Sequence, residues 1–449
     1  MKTGELNLLT AGNPAKRIIV FALPLLIGDF LQILYTMTDA FIVGRWLGIN
    51  GLASVGACYS IIGFVLGFVH GLTGGFAVIT AQRVGAGDAQ GIRRSVAAGL
   101  ILCLFASIVI TALLLPLSRI ILTVMRTPTE IMNDASGYVM VILAGTFAGI
   151  FYDMLSGIIR AGGDSFSPLI FLIIATVCNI VLDIVFVVFF SWGVRGAAAA
   201  TVFSEFISAV LTLRFLVRRF PQFLPRRKDW ITARRDFGTH LSLGIAMGLQ
   251  QSIVEIGNIL VQAAINSLGA LTIAAVSAAQ RVRGLNMMPL FAISRAMTTY
   301  TAQNYGAGKM DRVYRGIFQA CLISLGLGAF MAALNQFTGA PIVSLFLKDS
   351  AEAVALARRF ILFTGYTVFI LGIMLVFRSS LQGLGMRRAP ILCGIMETAM
   401  SVLAAFVLIP RLGFTGVCLV NPLSWLASGI PLYIAFGIRK KKILAPGMF

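Results

Sequence analysis

The chain has 449 residues, of which 58% are hydrophobic and only 12% charged, and it carries a formal net charge of +19. So few charges exclude an ordinary soluble domain, where about a quarter of residues are charged. Two histidines, six scattered cysteines and no phosphate-cradling GKS/T loop argue against a metalloenzyme, a disulfide framework and an ATP-driven machine.

Taken in chain order, the apolar runs give twelve expected spans, close to or above the ~20 residues that cross a ~30 Å hydrocarbon core as helix. In the first half they fall at 17–47, 52–80, 95–118, 134–158, 168–190 and 196–217. Segment 218–237, with Pro221, Pro225 and seven basic residues, follows as a linker. The second half gives 238–265, 271–300, 314–336, 353–380, 390–410 and 415–438. The expected organisation is therefore an N-terminal lobe (1–217), a basic linker (218–237), a C-terminal lobe (238–438) and a basic tail (439–449). The first span is long enough to cross by itself, so no cleavable leader is expected. The cysteines lie in or at apolar runs and suit small buried hydrophobes. His70, within an apolar run, and His240, at a helix start, have no ligand partner at helical spacing.

An internal repeat organises these spans. Thr80-Ala-Gln-Arg-Val-Gly-Ala-Gly87 returns as Thr301-Ala-Gln-Asn-Tyr-Gly-Ala-Gly308, with six of eight positions identical. A shift of about 221 residues also brings Leu47-Gly48 onto Leu268-Gly269, Gly163 and Pro168 onto Gly385 and Pro390, and Gly193 and Gly196 onto Gly413 and Gly416. Six helices in each copy make the halves parallel repeats about an axis along the membrane normal. The expected fold is an all-α integral membrane protein of two six-helix lobes related by pseudo-two-fold symmetry. A substrate cleft between such lobes is the architecture of a secondary transporter.

Charge placement sets the expected orientation. The N-terminus, the loops at 81–94, 159–167, 218–237, 302–315 and 381–389, and the tail fall on one side. They hold most of the lysines and arginines, including Arg226-Arg227-Lys228, Arg234-Arg235 and Arg439-Lys440-Lys441-Lys442. That asymmetry places both termini in the cytoplasm. The clusters meet lipid headgroups, and their dispersal over many loops argues against nucleic acid as a partner.

An ionisable side chain inside the bilayer costs at least ~2.5–3.5 kcal/mol and marks function by default. The first lobe carries Asp29, Asp39, Asp153, Asp183 and Glu205; the second carries Glu255 and Glu397. The repeat sets Asp39 opposite Leu260 and Asp183 opposite Leu403, so the acids are lopsided. Asp39, Asp183 and Thr201 each lie nine residues from Gly48 or Trp192 at the outer boundary, roughly 13 Å at 1.5 Å per residue. Asn179, Glu205 and Tyr35 each sit four residues from one of these, a turn deeper on the same helix face. This oxygen-rich set suits a hard cation, and the same carboxylates could carry protons instead. Pro24 removes a backbone hydrogen bond from the first helix, which permits either a bend or a fixed kink.

These residues resemble the multidrug and toxic compound extrusion (MATE) antiporters over nearly the whole chain. The resemblance rests on Gln-x-x-Gly-Ala-Gly at 82–87 and 303–308, Val43-Gly44 after Asp39, and Arg160-Ala-Gly-Gly-Asp164 followed by Pro168. Ala279-Gln280-Arg281 is similar to the bacterial DinF-like branch. The resemblance implies a V-shaped twelve-helix protein of the bacterial inner membrane that works by alternating access. It implies export of small, often cationic, organic compounds against inward H⁺ or Na⁺. Apart from the resemblance, no nucleophile–base or metal cluster stands at one depth, so no catalysis and no cofactor are expected, and the chain is expected to be a monomer. The resemblance further implies a cation site at Asp39, Asn179, Asp183 and Thr201, with Pro24 as the helix 1 proline. Glu255 matches a second-lobe acid of the other branch, but no carboxylate occupies 360–380, which offers only Arg378. The competing expectation is a flippase of the wider superfamily for a lipid-linked saccharide or cell-wall precursor. Arg281, Arg283, Arg295 and Arg378 fall in or near second-lobe helices and fit that alternative.

Overall fold

A computed structural model describes residues 6, 8–345, 347 and 350–444, with side chains through residue 438. The basic tail expected at 439–449 continues the last helix to Leu444; its side chains and residues 445–449 lie outside what is described. The described residues are helical throughout, without strands. The first two helices share one run, Pro14–Gly85, divided at Gly48, whose φ of 70° and ψ of −163° break the helix. We label them α1 (14–47) and α2 (49–85).

The others are α3 (Ala89–Val124), α4 (Thr129–Ala161), α5 (Phe166–Asp183, continued by a π turn Ile184–Phe189) and α6 (Val194–Arg219). After two short turns come α7 (Arg234–Asn266), α8 (Ala270–Gly306), α9 (Met310–Ser344) and α10 (Ala351–Gly383). Last are α11 (Arg388–Leu403, extended by a π turn Ala404–Leu408 and Ile409–Leu412) and α12 (Phe414–Leu444). The helices outrun the apolar windows because backbone hydrogen bonding continues past the hydrocarbon until a cap stops it. At α3 that cap is Asp88, which accepts the Gly91 N–H at 2.7 Å. At α5 it is Asp164, whose Oδ1 accepts from Phe166 N and Ser167 N at 2.9 Å each.

Among the described residues, ten helical runs are long and apolar enough to cross a membrane. They include Pro14–Gly85 as a single run and omit α8. α8 falls short through polarity and not through length: its 37 residues carry Gln280, Arg281, Arg283 and Arg295.

Backbone geometry repeats as the sequence does. Gly48 and Gly269 both break the chain with positive φ (70° and 90°), as do Gly87 and Gly308 (68° and 70°). A side chain is strained in that region, so the turn holds glycine in both copies. The π turns also correspond, one directly after Asp183 and the other directly after Leu403. Packing follows the same scheme: α4 lies on α3 and α6, and α10 lies on α9 and α12.

The chain forms two compact units. Unit 1 takes 23–248, so it includes all of segment 218–237 and the start of α7. Unit 2 takes 9–22 and the chain from Leu249 onward. The core of unit 1 is built around Phe76, Leu143, Ile150, Met154, Ile158 and Ile159. Among the described residues of unit 2, one such cluster surrounds Phe360 and Ile361 and another Met374 and Trp425.

Candidate cation site in the first unit

Asp39 on α1 and Asp183 on α5 lie near enough for their carboxyl groups to feel each other's charge. Asp183 and Asn179 are fully buried and Asp39 is 8% exposed. One turn separates Asn179 from Asp183, so both side chains leave the same face of α5. Tyr35, one turn before Asp39, lies near Thr201 of α6. The sequence-expected set of Asp39, Asn179, Asp183, Thr201 and Tyr35 is therefore gathered from three helices of one unit.

These groups are short of donors. Both carboxylate oxygens of Asp183, Oδ1 of Asp39, both amide atoms of Asn179 and the Tyr35 hydroxyl are buried without a hydrogen-bond partner. Unpaired polar atoms are rare in protein interiors and costly to bury. Here they converge, and most are acceptors. A cation or a shared proton would satisfy several at once, and hard oxygen donors of this kind suit a small hard ion.

Glu205 lies further in on α6, half-buried. Its Oε2 sits 2.8 Å from where a Cβ would project from Gly149 of α4, so the missing side chain makes room for the carboxyl. One turn further along α4, Asp153 Oδ2 meets His70 Nδ1 of α2 at 2.6 Å. His70, partnerless at helical spacing, thus finds its partner across a helix interface. Tyr138 of α4, 6% exposed, lies within electrostatic range of Asp39, Asp183 and Glu205 as well. Sequence reasoning missed Tyr138 because an aromatic residue in an apolar run carries no distinguishing signal.

His240 is also engaged. Its Nδ1 lies 2.9 Å from the Asp236 carbonyl oxygen and its Nε2 3.0 Å from Ser95 Oγ, which contacts Thr80 Oγ1 at 2.9 Å. Glu255 lies in unit 2, exposed on α7, where it accepts from Asn258 Nδ2 at 3.3 Å. It is not among the buried acids of unit 1. Glu397, also of unit 2, buries Oε2 without a partner and has Arg378 and Glu255 as charged neighbours. Pro24 lies within α1, two residues beyond Ala22, where that helix passes from unit 2 to unit 1.

The MatE family model matches residues 24–185 and again 246–407, once on each repeat. The chain belongs to the MatE family. A probable multidrug resistance protein of Bacillus subtilis, YpnP, is 26% identical over 378 residues, covering 84% of each chain. An FAD transporter of Shewanella oneidensis is 22% identical over 94% of each chain. A solved MATE family multidrug resistance transporter in an outward-facing conformation superposes with a TM-score of 0.89, at 24% identity over 98% of both chains. The MatE family assignment makes this chain a multi-pass membrane protein whose relatives are transporters and not enzymes.

Proposed function

We propose that this MatE protein exports small organic compounds, many of them cationic, by antiport against H⁺ or Na⁺. The observation that carries the reading is the set of buried, unpartnered acceptors at Asp39, Asn179 and Asp183 inside an apolar bundle. Two neighbouring buried carboxylates do not both hold bare charge cheaply. A cation entering the pair, or a proton shared by it, removes the repulsion. Thr201 and Tyr35 supply hydroxyls at the same place, while Glu205 and the Asp153–His70 pair extend the polar groups inward through unit 1.

Coupling requires that the cation favour one conformation over another, since equal affinity shifts nothing. α1 supplies the means: Asp39 titrates on the same helix that Pro24 leaves without one backbone hydrogen bond. Neutralising Asp39 and Asp183 then favours one bend of α1 and the lobe arrangement that goes with it. Both termini are cytoplasmic in this reading, in a bacterial inner membrane, because basic loops stay on the inner side. A flippase for a lipid-linked saccharide is the competing reading, favoured by the arginines of α8; it leaves the buried acids of unit 1 without a role.

The test is uptake of a fluorescent organic cation into inside-out proteoliposomes under an imposed pH or Na⁺ gradient. Wild type should accumulate the dye, and Asp183→Asn and Asp39→Asn should lose gradient-driven uptake while remaining monodisperse. Wild-type rates in Asp183→Asn would sink the assignment.

A further inference from the structure

The charges of unit 2 do not mirror those of unit 1. Arg283 stands on α8 fourteen residues beyond Gly269, about 21 Å along the axis. The repeat places it opposite Ile62, so unit 1 has no counterpart. A guanidinium at such depth is costly unless something pairs with it. Among the described residues Arg283 makes no ion pair and no hydrogen bond.

Arg283 lines a narrow crevice with Asn286 and Met287 of α8, Met331 and Asn335 of α9, and Thr364 of α10. Asn335 is 2% exposed. Its Oδ1 accepts from Asn286 Nδ2 at 3.0 Å, while its own Nδ2 is buried with no acceptor. Gly365 borders that amide: a Cβ there would lie 3.0 Å from Asn335 Nδ2, so a side chain would crowd it. Thr364 donates its proton to the Phe360 carbonyl at 2.8 Å. The remaining acceptors at the crevice, Asn286 Oδ1 and Thr364 Oγ1, are neutral. What is left unspent is a full positive charge and an amide N–H₂, both donors, with no carboxylate of the described chain to receive them.

We propose that Arg283 and Asn335 form an oxyanion subsite within unit 2, which takes one carboxylate or phosphate headgroup of a bound amphiphile. Arginine's planar fork is matched to such groups, and the charge makes the hydrogen bonds strong. The crevice volume of about 10 Å³ admits roughly one oxygen atom, so a single oxygen of the headgroup enters and the rest of the molecule stays outside. The subsite is independent of the cation site of unit 1. It lets a transporter whose clustered buried acids lie in unit 1 also hold a molecule bearing negative charge.

The headgroup can come from a solute carboxylate or a phospholipid, and the experiment separates these. Protein in phosphatidylcholine nanodiscs is titrated with radiolabelled benzoate, and phosphatidylglycerol retained through purification is quantified by mass spectrometry. Wild type should bind benzoate saturably or retain phosphatidylglycerol, and the positive probe names the source. Arg283→Gln should weaken that binding at least ten-fold. Asn335→Asp, which sets a carboxylate beside the guanidinium, should block it equally while raising the melting temperature. Binding of neither probe by wild type overturns the proposal. So does equal binding by wild type and both variants when all three are monodisperse.

Discussion

His70 of α2 and Asp153 of α4 meet at 2.6 Å, and the carboxyl of Glu205 rests against Gly149, one turn from Asp153 on the same face of α4. Polar groups from five helices of unit 1 (Asp39 on α1, His70 on α2, Asp153 on α4, Asp183 on α5 and Glu205 on α6) thereby lie together in one bundle. Each of these side chains lies in a span that is otherwise apolar.

A double-mutant cycle on His70→Asn and Asp153→Asn checks whether this pair is a unit. Residues in one ion-pair or hydrogen-bond network couple by about 0.5–3 kcal/mol. The double variant should cost no more thermal stability than the costlier single variant. Additive losses would show that the 2.6 Å contact carries no shared energy.

Gly71 and Gly75 on α2 face Gly248 and Gly244 on α7 backbone to backbone. A Cβ on Gly71 would lie 2.6 Å from the Gly248 Cα, and one on Gly75 would lie 2.5 Å from the Gly244 Cα. Small residues four apart let membrane helices approach this closely. Gly75→Ala should therefore destabilise by about 1–3 kcal/mol, the usual cost of overpacking, since backbone cannot swing aside. Gly63→Ala on the same helix, where a Cβ meets nothing within 4 Å, should be silent or slightly stabilising. Melting in detergent reads both.

Asp236 anchors the start of α7 to α3. Its Oδ2 accepts from Arg94 Nε at 2.6 Å, and Arg83 lies 3.8 Å from Oδ1. Asp229 accepts from Arg93 Nε at 3.1 Å and from the Arg226 N–H at 2.9 Å. Asp236→Ala should cost about 1.5–3 kcal/mol, the range for a hydrogen bond to a charged group. The expected readout is a lower melting temperature together with faster proteolysis of segment 218–237. Unchanged values for both would show that the linker is held by its apolar contacts alone.

Gln303 shows what the repeated Gln-x-x-Gly-Ala-Gly element does in unit 2. Its Oε1 accepts the Leu9 N–H at 2.7 Å, and Arg312 donates to the carbonyls of Gly12 at 2.9 Å and Leu9 at 3.3 Å. Gln303→Ala should loosen residues 9–12, seen as faster amide hydrogen exchange there, and should leave α8 itself intact. Exchange unchanged at Leu9 would refute the assignment.

Much of the fold was legible because the membrane enforces it. A backbone in hydrocarbon must bond internally, so each long apolar run becomes a helix and the apolar periods give the spans. The duplication was equally plain, since Gly48 and Gly269, or Gly87 and Gly308, hold turns that other residues strain to adopt. Asp39, Asn179, Asp183 and Thr201 stood out because helix rise converts sequence distance into depth. α8, expected at 271–300 from its apolar run, is the most polar of the spans, since it carries Gln280, Arg281, Arg283 and Arg295.

Sequence by itself determined element type, duplication and the depth of each polar residue, because all three follow from local hydrogen bonding and a fixed rise per residue. Tertiary structure alone decided azimuth, meaning which side chains of different helices face one another. That is why His70 found Asp153, Glu205 found the space at Gly149, and Tyr138 joined the acids. The same rule left Arg283 beside Asn335 with no carboxylate in reach. Helical spacing constrains neighbours on one helix, but partners across an interface depend on how two helices rotate and pack, which no single segment encodes.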